Sequence, residues 1–151
     1  MTARVWKPNV TVAAIVEREG RFLLVEEETD DGLMLNQPAG HLEANESLVE
    51  GAARETLEET AYEFTPQYLV GVYCWRHPDR NVTFLRFAFA GMLGTHYPDR
   101  ALDTGIVRAL WLTAAEVRAS RGRHRSPMVV RCMDDYQRGT RAPLDLLVHL
   151  D

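Results

Sequence analysis

The segment from Gly40 to Tyr62, GHLEANESLVEGAARETLEETAY, constrains the fold of this chain more than any other. Its periodicity predicts an α-helix from about Ser47 to Thr60. Residues three and four positions apart are neighbours on a helix, so Glu55, Glu58 and Glu59 share one face. Like charges at this spacing repel one another and destabilise a helix. The pattern therefore indicates that a cation balances these carboxylates.

Carboxylate spacing alone leaves two interpretations of this acidic face. Carboxylates from one rigid helix are hard oxygen ligands for Mg²⁺ or Mn²⁺, and such ions neutralise phosphate charge and acidify bound water. The alternative is a solvated helix face with salt bridges, in which Glu50, Arg54 and Glu58 form a ladder at i, i+4 spacing. The spacing by itself slightly favours the solvated face.

The composition limits the possible partners. Of the 151 residues, 46% are hydrophobic and 26% are charged, which is typical of a globular domain. A formal net charge of −5 argues against binding to duplex nucleic acid. No apolar run approaches membrane-spanning length, and the two cysteines form no zinc-binding pair. We expect a single domain over residues 1–151, located in the cytoplasm and without a membrane partner.

Strands are predicted on both sides of the acidic helix. β-Branched and aromatic runs place them at 9–16, 21–26, 68–75, 82–90 and 106–112. The first two strands are expected to form a hairpin, and the polar segments 26–32 and 91–105 are expected to be loops. Pro66 is expected to mark the break after the acidic helix.

Two shorter helices are predicted after the last strand. Thr113 and Glu116 have the spacing of a capping box, and Ser126-Pro127 starts a second helix that Gly139 ends. This order of elements predicts an α+β fold with a mixed β-sheet sandwiched between helices. The alternation of a doubly wound parallel sheet and the phosphate-binding patterns GxGxxG and GxxxxGKS/T are absent from the sequence.

The complete spacing of the acidic segment changes the balance between the two interpretations. The segment resembles the Nudix box, GX5EX7REUXEEXGU, in which U is an aliphatic residue. Five residues separate Gly40 from Glu46, and seven more precede the cluster Arg54-Glu55-x-x-Glu58-Glu59. The chain is therefore identified by this resemblance as a member of the Nudix family.

Three positions depart from the Nudix pattern. Thr56 and Tyr62 stand where aliphatic residues are usual, and Ala61 replaces the last glycine. That glycine permits a backbone conformation with positive φ at the end of the helix, so an alanine predicts local strain or a different helix exit. Every carboxylate of the box is retained.

The resemblance implies the Nudix fold, an α/β/α sandwich, and hydrolysis of a small phosphoanhydride with Mg²⁺, or with Mn²⁺ in its place. The flanking segments NQPAGHLEA and TFLRFAFAG are similar to those of Nudix phosphatases that release phosphate from nucleoside di- and triphosphates and from thiamine-type pyrophosphates. The alternatives are a pyrophosphatase for an oxidised nucleotide, a dinucleotide or ADP-ribose, and a nucleotide-sensing module without activity. The retained carboxylates argue against the last alternative. A monomer or a homodimer is expected.

Matching positions carry the roles of the box over to this chain. Glu55, Glu58 and Glu59 are expected to bind the metal, with Glu58 and Glu59 as the main ligands and Glu55 as a ligand or the general base. Arg54 is expected to orient a carboxylate by ion pairing, with Glu46 as its candidate partner. Glu55, Glu58 and Arg54 together form the expected catalytic set.

Three more residues are candidates around the metal site. The resemblance implies that Gly40 lets the loop backbone approach the metal, whereas an ordinary turn would also explain a glycine there. Asp103 and Glu116 are carboxylates outside the box that could join the site, although Glu116 is more simply explained as the partner in a helix cap.

Four residues outside the box are expected to bind substrate. Arg86 is a charge in an apolar strand and either faces the substrate phosphates or is a rim arginine with a buried stem. Trp75 either stacks on a pyrimidine or nucleobase or packs in the core. Asn36 and Gln37 either hydrogen-bond a base or sugar or take part in a turn.

Overall fold

Two β-sheets packed between helices form the fold of residues 3–151, which the computed structural model describes. The strands are β1 (Asn9–Ile15), β2 (Glu17–Arg18), β3 (Arg21–Thr29), β4 (Gly32–Asn36), β5 (Ala39–His41), β6 (Tyr62–Arg76), β7 (Thr83–His96) and β8 (Ile106–Thr113). The helices are α1 (Leu48–Thr60), α2 (Ala114–Ala119) and α3 (Met128–Gln137).

The first sheet, in the order β5-β1-β7-β6, provides the floor of the site. β1 runs antiparallel to β5 and parallel to β7, and β7 pairs antiparallel with β6. One row of directly paired residues across the four strands consists of His41, Thr11, Arg86 and Tyr73. Directly paired residues point to the same face of a sheet, so this row lies on a single face.

The second sheet is built around β3, which pairs antiparallel with β2, β4 and β8. Successive side chains of a strand point to opposite faces. Leu23 and Leu24 of β3 accordingly join two different hydrophobic clusters, one on each side of the sheet.

Helices cover both faces of the β-structure. α1 packs on one face, where Ala52 lies in a buried cluster with Phe89. α3 packs on the opposite face, where Val129 and Cys132 lie in a cluster with Ala88. The predicted α+β sandwich is confirmed, and its β-structure is divided between two sheets.

Several predictions about strand limits are wrong. β1 and β3 lie in different sheets, so the predicted hairpin is reduced to the pairing of Glu17–Arg18 with the start of β3. The segments predicted as loops instead extend β3 to Thr29 and β7 to His96, because pairing with neighbouring strands outweighs their polarity. Pro66 lies inside β6, next to a register shift in the pairing with β7, where a residue without an N–H group is tolerated.

Local signals set both ends of α1. Ser47 and Glu50 form a capping box, in which each side chain accepts a hydrogen bond from the backbone N–H of the other. Ala61 caps the C-terminus in the left-handed conformation, with φ of 63° and ψ of 17°. The alanine therefore keeps the usual helix exit and accepts strain of about 1–2 kcal/mol.

The predicted starts of the last two helices are also present. Thr113 and Glu116 form the capping box of α2, so Glu116 is a cap and does not join the site. Ser126 Oγ accepts the backbone N–H of Met128 at 3.1 Å at the start of α3. Gly139, with φ of 80°, follows the end of α3. None of the helices within residues 3–151 is long and apolar enough to cross a membrane.

Candidate active site

Arg54, in the middle of α1, is the centre of a cluster of carboxylates. Its Nε and Nη2 groups donate to the two oxygens of Glu46 at 2.9 and 2.7 Å. Its Nη1 group donates to Glu55 at 2.8 Å and to Glu58 at 3.0 Å. The predicted ion pair with Glu46 is therefore present, and one guanidinium fixes three carboxylates at once. Bidentate bonding of this kind fixes orientation as well as charge.

These contacts weaken the interpretation of a solvated salt-bridge ladder. Only the Arg54–Glu58 half of that ladder is formed, because the Glu50 side chain caps Ser47 instead. The hydrogen bonds with Arg54 lower the pKa of Glu46, which remains ionised as the anchor of the guanidinium. The hydrogen bond with Glu46 is in turn the main cause of the raised pKa of Arg54.

Gly40 lies in direct contact with the carboxyl group of Glu55. A Cβ atom at position 40 would lie 2.1 Å from the Glu55 carboxyl carbon, far closer than any real contact. Glycine thus allows β5 to approach the acidic face of α1, and the predicted approach to a metal ion stays a prediction. The turn explanation is unnecessary, because this glycine lies within a strand and has no positive φ.

Glu59 lies on the inner side of the cluster. Its side chain is buried, and its Oε1 atom accepts the backbone N–H of Ala39 at 2.9 Å. Burial, assisted by the nearby charge of Glu55, raises the pKa of Glu59 to about 8. Burial also raises the pKa of Glu55, although its hydrogen bond with Arg54 opposes the shift. Both carboxylates would become more acidic if a cation were bound beside them.

Asp103 joins the box carboxylates from the segment before β8. One oxygen from each of Glu55, Glu58 and Asp103 can lie within 4.8 Å of the others. The backbone N–H of Asp103 donates to the carbonyl of Glu58 at 2.9 Å, which attaches this segment to the end of α1. The spacing of the Nudix box does not predict that Asp103 lies beside Glu55 and Glu58, because Asp103 is far from the box in the sequence.

A cleft of about 600 Å³ extends from this acidic cluster across the floor of the first sheet. The residues that line it include Glu55, Glu59, Gly40, Trp75 and Arg86. The structure thus brings most of the predicted site residues to one cavity.

Trp75 lies half-buried in the wall of the cleft, beside Phe84 of the neighbouring strand. The two ring centroids are 6.0 Å apart and the ring planes differ by 15°, so the rings stack, and this apolar pair in the cleft wall is called the aromatic shelf. Trp75 packs against the hydrophobic core and also lines the cavity, and its stacking on a pyrimidine or nucleobase stays a prediction. The prediction missed Phe84, although strand alternation places it on the same face as Arg86.

Arg86 lies deep in the cleft and not at a rim. Its strand, β7, is central in the sheet, and the residue is only 3% exposed. Its guanidinium donates to Gln37 Oε1 and to Asn36 Oδ1, both at 2.9 Å. Gln37 in turn donates to the carbonyl of Val129 at 2.8 Å. Asn36 lines the cleft, whereas Gln37 is buried behind Arg86 and holds it in place.

A family model described as the NUDIX domain matches residues 6–131, which include the acidic helix, the cleft and the start of α3. The chain belongs to the Nudix family. Phosphatase NudJ of Escherichia coli (strain K12) is 44% identical over 142 residues, which cover 94% of this chain and 92% of NudJ.

Solved structures agree with this assignment. A NUDIX hydrolase from Nitrosomonas europaea matches with a TM-score of 0.93 and 49% identity, over 95% of this chain and 98% of its own. A MutT NUDIX hydrolase from Burkholderia pseudomallei shares the fold at 14% identity, with a TM-score of 0.73 over 86% of this chain and 98% of its own. This protein is thus a Nudix hydrolase related to NudJ, as the box predicted.

Nudix hydrolases generally use divalent metal ions, and the residues of this chain fit one. The meeting carboxylates of Glu55, Glu58 and Asp103 are hard oxygen donors of the kind that Mg²⁺ and Mn²⁺ prefer. A side chain at position 40 would overlap the carboxyl group of Glu55, so only glycine leaves this donor in place. Burial raises the pKa of Glu55 and of Glu59, and a cation bound beside them would favour their ionised forms.

Proposed function

We propose that this Nudix hydrolase is a Mg²⁺-dependent phosphatase, with Mn²⁺ as a substitute, that releases phosphate from nucleoside di- and triphosphates and from thiamine-type pyrophosphates. The observation that carries the proposal is the meeting of Glu55, Glu58 and Asp103 at a cleft that also contains the aromatic shelf and an arginine. The similarity to Phosphatase NudJ supports release of phosphate.

In this proposal, Glu55, Glu58, Glu59 and Asp103 hold the metal ion. A bound divalent ion would neutralise phosphate charge and lower the pKa of the attacking water. Arg54 holds Glu55 and Glu58 in fixed orientations through its Nη1 group, so it acts by positioning them. The Ala39 N–H group fixes one oxygen of Glu59.

Glu55 is the residue proposed to accept the proton of the attacking water when it is not itself a ligand. Burial raises its pKa, which makes the carboxylate a stronger base than an exposed glutamate. The Arg54 hydrogen bond leaves its second oxygen available for this transfer. Glu58 and Glu59 then remain as the main ligands.

The rest of the cleft is proposed to hold the substrate beyond the attacked phosphate. The shelf of Trp75 and Phe84 suits a flat pyrimidine or nucleobase, because a ring can stack on its exposed side. Arg86 and Asn36 supply hydrogen-bond donors, and Gln37 contributes by holding Arg86. We also propose a cytoplasmic protein that is a monomer or a homodimer.

The products of hydrolysis test this proposal. The purified protein with Mg²⁺ is incubated with thiamine pyrophosphate, several nucleoside di- and triphosphates and ADP-ribose, and orthophosphate and pyrophosphate are measured separately. We expect orthophosphate from the first three substrate classes. Pyrophosphate as the only product would replace the phosphatase assignment with that of a Nudix pyrophosphatase.

Matched glutamate variants test the metal centre in the same assay. Glu58→Gln should abolish turnover with the fold intact, since it removes a proposed ligand. Glu116→Gln is the control, because this glutamate caps α2 away from the site and glutamine can also serve in a capping box. A Glu58→Gln variant with unchanged turnover would remove the proposed metal mechanism.

A further inference from the structure

The guanidinium of Arg86 is a buried positive charge with only neutral partners among the described residues. Its Nη groups donate to the amide oxygens of Gln37 and Asn36, and Nη1 lies 3.8 Å from the Cys132 sulfur. Its Nε atom is buried and has no hydrogen-bond partner. Burial raises the pKa of the Cys132 thiol and keeps it neutral, so the sulfur does not balance the charge.

Nearby carboxylates do not balance Arg86 either. Asp135 accepts the hydroxyl of Tyr73 at 2.7 Å and is already paired with two arginines. Glu27, in the cleft wall, pairs with Arg125 at 3.1 Å. A buried charge that lacks a counter-charge is strongly unfavourable, so this arrangement favours binding of an anion.

Two further groups, Asn36 and Ser126, can donate hydrogen bonds to a ligand in the cleft. Asn36 uses its oxygen on Arg86, which leaves its amide NH₂ group free to donate. Ser126 uses a lone pair to accept the Met128 N–H, which leaves its hydroxyl hydrogen free. Both residues line the cleft. The ten-residue helix α3 begins at this corner, and its dipole adds positive potential there.

We propose that Arg86, Asn36 and Ser126 form an anion subsite that binds a substrate phosphate other than the one attacked beside the carboxylates of α1. Two strand spacings, roughly 10 Å, separate Arg86's strand β7 from β5, where Gly40 contacts Glu55, so we assign the subsite to a different phosphate of the same substrate. Identifying this anion as a substrate phosphate depends on the proposed function. The subsite would favour substrates with a phosphate in addition to the cleaved anhydride.

Binding of inorganic phosphate in the presence of EDTA tests the subsite without turnover. Phosphate is titrated into ¹⁵N-labelled protein, and the amide resonances of Asn36, Arg86 and Ser126 are followed. We expect saturable shifts at these positions. Arg86→Gln should bind phosphate at least about tenfold more weakly, because it removes charge-assisted hydrogen bonds. Arg108→Gln, which removes an exposed arginine from β8, should bind as the wild type does.

Asn36→Asp provides a second test that does not depend on the folding of Arg86→Gln. The new carboxylate would supply the missing partner of Arg86 within the chain, so we expect a higher melting temperature and loss of phosphate binding. Wild-type phosphate affinity in either Arg86→Gln or Asn36→Asp would overturn the proposal. Glu58→Gln should retain phosphate binding in EDTA, which separates failure of the metal centre from failure of the subsite.

Discussion

Replacement of Gly40 by alanine tests whether the close contact with Glu55 builds the site. The added Cβ would lie 2.1 Å from the Glu55 carboxyl carbon. Ordinary carbon contacts lie at about 3.5–4.0 Å, so the carboxyl group must move by roughly 1.5 Å. Misplacement of a catalytic group by about 1 Å can cost on the order of 100-fold in rate. We therefore expect a fall of about 100-fold in kcat/KM and a higher Mg²⁺ requirement.

The same substitution should change stability little. The displaced atoms are the far end of a flexible side chain, and Gly40 has no positive φ that alanine would strain. The assay is phosphate release at several Mg²⁺ concentrations, together with a thermal melt. Gly122→Ala is the matched control, because a Cβ there meets nothing within 4 Å and should affect neither quantity.

A double mutant separates this mechanism from a general effect on the loop. If Gly40 acts through Glu55, Gly40→Ala should have little further effect on activity in a Glu55→Gln background. Additive losses in the double mutant, or a Gly40→Ala enzyme within twofold of the wild type, would refute the reasoning.

Three further changes have defined outcomes. Arg54→Gln should lower the free energy of unfolding by about 2 kcal/mol, measured by urea denaturation, because it removes charged hydrogen bonds to three carboxylates. In metal-free protein, Glu59 should contribute stability that is present below its unfolded pKa, near 4.5, and lost as the pH rises through its folded pKa of about 8. Thermal melts across this pH range should show a smaller fall of melting temperature with pH in Glu59→Gln than in the wild type. An unchanged pH dependence in Glu59→Gln would mean that other groups cause it. Ala61→Gly should leave the free energy of unfolding within about 1 kcal/mol, because relief of left-handed strain is offset by the greater entropy of glycine in the unfolded chain.

Local sequence signals predicted α1 and its site face closely. The capping box of Ser47 and Glu50 marks its start, and its periodicity marks its faces. Both signals lie within the helix segment itself, so they can be recognised without knowing any distant partner. Its end was less predictable, because Ala61 breaks the usual glycine rule while keeping the left-handed conformation. The surrounding fold holds that residue, whose carbonyl accepts the N–H of Tyr97 at 2.9 Å.

Strand limits and the substrate side of the cleft depend on distant partners and were harder to predict. Polar residues at the end of β3 form a strand only because β4 and β8 pair with them. Arg86 is held by Asn36 and Gln37, which lie 50 and 49 positions earlier in the chain. The sequence suggested each residue as a substrate contact, but it could not indicate that Gln37 serves by supporting Arg86.

The carboxylate cluster and Arg86 carry unbalanced charges of opposite sign, and one bound ligand could balance both. In the cluster, Arg54 is shared among three carboxylates while Asp103 adds a further one, so negative charge is in excess. Arg86 is buried among neutral groups, so positive charge is in excess around it. The described residues contain no ion pair between Arg86 and these carboxylates, so the two charges do not neutralise each other. A phosphoanhydride bound with a divalent cation would offset both, since the cation meets the carboxylates and a phosphate meets the arginine. Substrate binding would then balance both charges in a site whose side chains are already fixed by hydrogen bonds, which is the arrangement expected of a preorganised site.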